Sequence, residues 1–165
     1  MRRKGACSDN MDVGGRFPSF VLKDENGEEF DSRSLDGIRY VIYFYSKDGT
    51  SGCTTEALDL SSLYPKFMLR NIPVIGVSKD TAASHQKFKE KNSLKIKLLS
   101  DPDHDLSGRA GAWGVKTMYG KEVYGTIRST FIVGKDGIIE AVWKGVKVRG
   151  HAEKVLEKAV SLTKN

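Results

Sequence analysis

Residues Arg39 to Tyr45 read RYVIYFY, and after the arginine every side chain is β-branched or aromatic. A strand that is wet on one face alternates polar and apolar residues. A run with no charged position belongs inside a sheet, covered on both faces. Ile72 to Ser78 (IPVIGVS) is a second run of this kind. Between the two, Cys53 to about Leu69 places Ala57, Leu60, Leu63, Tyr64 and Phe67 on one helical stripe, with Pro65 expected to kink it. Two buried strands separated by a helix already point to an α/β sheet.

The flanking segments fit the same plan. Ser19 to Lys23 and Glu28 to Phe30 predict a hairpin turning at Asn26-Gly27, since Asn-Gly tolerates the positive φ of a tight turn. A helix over Thr81 to Lys91 directs Phe88 at the core, a short strand covers Lys97 to Leu99, and Asp105 to Ala112 predicts a short helix. Ser129 to Val133 and Ile138 to Lys144 form a second hairpin, followed by a helix from His151 to about Leu162 with Val155, Leu156, Ala159 and Val160 inward. The expectation is one α/β domain over residues 11–165, a central mixed β-sheet flanked by helices, with residues 1–10 a flexible arm. Trp113 and Tyr119 are expected to pack or to line the rim of the site, and Gly108, Gly111 and Gly114 make no nucleotide motif.

Composition narrows the function. At 39% hydrophobic and 29% charged, the chain resembles an ordinary globular protein. The net charge of +6 is spread among Lys-Glu and Lys-Asp mixtures, with Arg2-Arg3-Lys4 the one basic run, so a nucleic-acid partner is not expected. No stretch approaches the ~18 apolar residues of a membrane span. Two cysteines, Cys7 and Cys53, exclude a disulfide scaffold and a four-cysteine zinc site, and suit a reducing, cytoplasmic compartment. His85, His104 and His151 lack ligand spacing and are expected at the surface or at helix caps, with no metal.

Cys53 opens the helix that follows the first buried strand, at the strand end where open α/β sheets place their sites. Free N–H groups and the partial positive charge of a helix start favour a thiolate. They are not enough. A thiol with pKa ~8.5 needs a shift of ~2.5 units, or roughly 3.4 kcal/mol, to be mostly ionised at neutral pH. A helix terminus supplies ~0.3–1 kcal/mol and at best ~2. A cation must supply the rest, and arginine stays charged while its fork reaches two acceptors.

The segment Ser46-Lys47-Asp48-Gly49-Thr50-Ser51-Gly52-Cys53-Thr54-Thr55-Glu56 resembles the active-site loop of peroxiredoxins, in the bacterioferritin-comigratory or peroxiredoxin Q branch. Asp80 to Phe88, Leu98 to Asp103 and Arg128 to Val133 resemble it too, so the likeness runs from about Met11 to the C-terminus. The resemblance implies a thioredoxin-like fold and a thiol-dependent peroxidase that needs no cofactor. Its substrates would be hydrogen peroxide and organic hydroperoxides, and its reductant thioredoxin, glutaredoxin or a small thiol such as glutathione. A monomer or weak homodimer is implied. Cys53 would be the nucleophile, becoming a sulfenic acid. Thr50 would hydrogen-bond the peroxide, and Arg128 would lower the thiolate pKa and support the leaving oxygen. Glu56 would orient an arginine, or serve only as a favourable acid in the first helical turn.

Two departures stand out. The family's proline before the loop is Ser46, which is less rigid. Many members carry a resolving cysteine five positions after the nucleophile, where this chain has Leu58, or in the following helix, which has none here. A 1-Cys cycle with an external thiol is expected, with Cys7 the alternative resolving residue. A dithiol oxidoreductase is excluded by Cys53-Thr54-Thr55-Glu56, which lacks the second cysteine of that motif. The rival class is a redox-sensing or chaperone-like protein of the same fold with little turnover.

Overall fold

The computed structural model describes residues 11–163; residues 1–10, with the expected arm and Cys7, lie outside the described residues. In chain order the elements begin with β1 (Val21–Asp24), β2 (Glu29–Asp31), β3 (Tyr40–Phe44), α1 (Ser51–Met68), β4 (Val74–Ser78) and α2 (Ala82–Asn92). Next come β5 (Lys97–Ser100), α3 (Asp105–Arg109), β6 (Trp113–Met118) and β7 (Lys121–Thr126). The chain closes with β8 (Ser129–Val133), β9 (Ile139–Lys144) and α4 (His151–Leu162). Seven strands form one mixed sheet in the order β2-β1-β5-β4-β3-β8-β9.

The uncharged run sits where its composition requires. β3 pairs parallel with β4 and antiparallel with β8, and every residue of the three strands is buried. Successive side chains on a strand point to opposite faces, so one strand feeds two cores. Val41 and Tyr43 pack with Ala57, Leu60 and Phe67 of α1, Phe88 of α2 and Val155 of α4. Ile42 and Phe44 pack on the other face with Phe17, Phe20, Leu106 of α3 and Phe131. Gly76, the register partner of Tyr43, is needed for close approach: a Cβ there would stand 2.8 Å from the tyrosine ring.

Three details differ from the sequence reading. α1 begins at Ser51 and runs unbroken through Pro65, so Cys53 lies inside its first turn rather than opening it. α3 stops at Arg109, short of Ala112. β6 and β7, which the sequence did not disclose, form a separate antiparallel hairpin. Tyr119 and Gly120 both have positive φ and make its two-residue turn. Tyr119 is therefore 98% exposed at the tip instead of lining a rim, and Trp113 stacks on His104 with centroids 3.7 Å apart.

Candidate active site

β3 delivers the chain to the loop 46–50, and Thr50 turns it into α1. Thr50 holds the N-cap position, yet its hydroxyl caps no helical N–H; it donates to the Lys47 carbonyl at 3.2 Å. The Thr54 N–H donates to the Thr50 carbonyl at 2.8 Å. The N–H groups of Ser51, Gly52 and Cys53 precede that bond and have no intrahelical partner. Cys53 lies in this first turn and is 1% exposed.

Arg128, just before β8, reaches the sulfur from the sheet. Its Nη2 donates to Cys53 Sγ at 3.1 Å and its Nη1 to Glu56 Oε1 at 2.5 Å. Gly52 borders the guanidinium: a Cβ at that position would lie 3.5 Å from Nη2, an ordinary contact distance. The Ser46 hydroxyl lies 3.6 Å from Sγ. Burial pushes the Cys53 thiol up; the Thr50 hydroxyl, the Lys47 backbone amide, the Arg128 charge and the Ser46 hydroxyl together hold it below its ordinary value. The lowering pulls come from two segments far apart in the chain, the loop 46–50 and Arg128 before β8, so they depend on tertiary structure.

Glu56 lies one helical turn beyond Cys53, on the same face of α1. It is 1% exposed, and burial raises it to about 7 against the pull of Arg128. Arg128 is raised in turn by Glu56 and the Cys53 sulfur, although its own burial works the other way. Among the described residues, Glu56 Oε2 and the Tyr43 hydroxyl have no hydrogen-bond partner. Tyr43 is kept neutral by its burial and by the nearby charges of Glu56 and Cys53.

Residues 13–142 match the AhpC/TSA family. The chain is 39% identical over 147 residues to peroxiredoxin Bcp of Bacillus subtilis, covering 89% of this chain and 94% of the relative. The chain is a peroxiredoxin. Its fold is shared with the Xanthomonas campestris bacterioferritin comigratory protein, at TM-score 0.83 and 39% identity over 88% of this chain and 92% of the other. A cysteine-to-serine variant of Xylella fastidiosa peroxiredoxin Q superposes with TM-score 0.88 and 34% identity, covering 94% of this chain and 99% of the other. Such relatives make this peroxiredoxin a thiol-dependent peroxidase of thioredoxin-like fold, and place it in the bacterioferritin-comigratory branch.

Thr50, Cys53, Arg128, Glu56 and Ser46 therefore come together around one sulfur, whereas Cys7 lies outside the described residues. The reading of Glu56 as a first-turn acid is overturned, because the first turn of α1 holds no acid and Glu56 faces Arg128 from the second. The histidine reading also needs correction. His85 is fully buried, with Nδ1 2.8 Å from Asp48 Oδ2 and Nε2 donating to the Leu99 carbonyl at 2.9 Å. His151 is buried too, its Nε2 2.8 Å from the Thr130 hydroxyl, and burial holds it down at about 4. His104 occupies the N-cap position of α3 but makes no cap bond. Asp48, Asp80 and His85 converge with ligand-type atoms within 4.8 Å of one another, a cluster whose members were separated too widely in sequence to be grouped. The facing atoms are already engaged in hydrogen bonds to protein.

Glu56 makes a testable link to pH. Its folded pKa exceeds its unfolded value, so the folded state binds the extra proton between about 4.5 and 7, and stability falls as pH rises through that window. His151 acts with the opposite sign from about 6.5 down to about 4, because acid must charge a buried neutral ring. Glu56→Gln removes only the first effect. The melting temperature of the variant relative to the parent is expected to rise by several degrees from pH 5 to pH 8, at roughly 2–4 °C per kcal/mol. Parallel melting curves across that range would show Glu56 is not the titrating group.

Proposed function

We propose that Cys53 is the peroxidatic nucleophile and that the enzyme reduces hydrogen peroxide and organic hydroperoxides by a 1-Cys cycle. The observation that carries this reading is Arg128 Nη2 at 3.1 Å from Sγ, with the other arm of the fork held by buried Glu56. The thiolate attacks one peroxide oxygen, an S–O bond forms as the O–O bond breaks, and the departing hydroxide or alkoxide takes a proton to leave as water or alcohol. Cys53 is left as a sulfenic acid. Arg128 and the free N–H of Cys53 support the charge on the leaving oxygen, where a fixed donor is worth most. The Thr50 hydroxyl turns from the Lys47 carbonyl to the peroxide, fixing the oxygen in line with the sulfur.

Recycling needs two thiol groups. The first attacks the sulfenic sulfur, forming an S–S bond and releasing water; the second breaks that bond and returns the Cys53 thiolate. Cys53 is the one cysteine among the described residues, and Leu58 stands exposed on α1 where a partner would be expected. Thioredoxin, glutaredoxin or a small thiol in the cytoplasm supplies the electrons, to a monomer or weak homodimer. No helix among the described residues is long and apolar enough to cross a membrane.

The Cys7→Ser variant tests the 1-Cys cycle. Turnover of hydrogen peroxide with dithiothreitol is expected to equal that of the parent within about twofold, and the oxidised parent to carry a sulfenic acid. A Cys7–Cys53 disulfide as the main oxidised form, with turnover lost in Cys7→Ser, would contradict it.

A further inference from the structure

The loop 46–50 supplies three of the groups that hold the thiol of Cys53 low: the Thr50 hydroxyl, the Lys47 amide and the Ser46 hydroxyl. Asp48 is what ties that loop to the rest of the molecule. Its N–H donates to Asp80 Oδ2 at 2.8 Å, and Asp80 is itself held by the Ser78 hydroxyl at 2.6 Å. Its carboxylate accepts from the Tyr45 hydroxyl at 2.6 Å, the Ser84 hydroxyl at 2.8 Å and His85 Nδ1 at 2.8 Å. The side chain of Asp48 is only 6% exposed, so each of these donors replaces water that the carboxylate has lost.

His85 makes the tether directional. It lies in the first turn of α2, whose start is fixed by Thr81 accepting from the Ser84 N–H at 3.1 Å. The ring is wedged between two acceptors, the Asp48 carboxylate and the Leu99 carbonyl of β5. One face of the ring is fastened to the sheet and the other to the nucleophile loop. Cys53 itself is 1% exposed. A sulfenic acid formed there is out of reach of an external thiol until the loop and the first turn of α1 move.

We propose that Asp48 and His85 are positioning residues, a latch that holds the loop closed over Cys53 for peroxide attack and must open for the oxidised sulfur to be reduced. The proposal rests on Cys53 being the nucleophile. It assigns the two half-reactions opposite dependence on one hydrogen bond, which a general loss of stability would not produce.

Two substitutions separate the two ends of the ring. His85→Gln carries its amide nitrogen to the position of Nε2, keeping the Leu99 bond and losing the Asp48 bond. His85→Asn carries it to the position of Nδ1 and does the reverse. Oxidation by hydrogen peroxide and reduction of the oxidised enzyme by dithiothreitol are then timed separately by stopped flow. His85→Gln is expected to slow oxidation about tenfold and to speed reduction by a similar factor, the effect of losing one charge-assisted hydrogen bond. His85→Asn is expected to stay within about threefold of the parent in both. Ser84→Ala, which removes one donor from half-buried α2 surface, should show the same opposed pattern at smaller size, and it decides the matter if the histidine variants do not fold. Equal behaviour of His85→Gln and His85→Asn, or both half-reactions slowing together, would overturn the latch. A parent protein whose Cys53 is not oxidised by peroxide would instead overturn the nucleophile, and the latch with it.

Discussion

Cys53→Ser is expected to abolish hydroperoxide reduction while leaving the melting temperature within about 4 °C of the parent. A serine hydroxyl stays protonated here, because an alcohol is a far weaker acid than a thiol and the same surroundings do not make it a nucleophile. The site is otherwise little disturbed. Oxygen is smaller than sulfur, and it still offers an acceptor to Arg128 Nη2, which now lies 3.1 Å from Sγ. Peroxide consumption and thermal unfolding, measured on the same preparation, check both halves. Residual turnover well above the uncatalysed rate would place the chemistry elsewhere.

Arg128→Met keeps much of the side-chain length and removes the charge. The second-order rate constant with hydrogen peroxide is expected to fall by about 10²–10³, the usual cost of losing one fixed donor to a charge that develops in the transition state. The thiolate absorbance of Cys53 should also titrate at higher pH than in the parent, since Arg128 is one of the groups that lower it. Breaking a buried pair usually costs ~3–5 kcal/mol. Here Glu56, already raised to about 7, has an escape in binding a proton. The stability loss should therefore be small near pH 6 and grow toward pH 8. Arg128→Lys should fall between the two, holding a charge near the sulfur without the fork that spans Sγ and Glu56. A rate unchanged in Arg128→Met would remove the arginine from the mechanism.

The sheet and the sulfur were legible in the sequence for different reasons. β3 and β4 announce themselves because strands buried on both faces have no room for polar positions, and α4 because its apolar stripe has helical period. Thr50, Cys53 and Arg128 were readable only through their family pattern, as nothing local says that residues 53 and 128 meet. The β6–β7 hairpin stayed hidden because most of β7 is exposed and its turn begins with a tyrosine at positive φ, where glycine or asparagine is the usual signal. His85 was misjudged for a related reason. A lone histidine on a polar helix looks solvated until the fold brings Asp48, thirty-seven residues away, within 2.8 Å of its ring. The role of Glu56 depended on where α1 starts, since a helix beginning at Ser51 moves it out of the first turn and over Arg128.

The proposed mechanism holds Cys53 as a thiolate that attacks peroxide directly. It is tested by mixing the reduced protein with one equivalent of hydrogen peroxide, quenching within milliseconds and mapping the product by mass spectrometry. One added oxygen atom on Cys53 is expected, formed far faster than on free cysteine and blocked in Arg128→Met on the same timescale. An unmodified Cys53, or oxygen appearing first on the methionines, would contradict it.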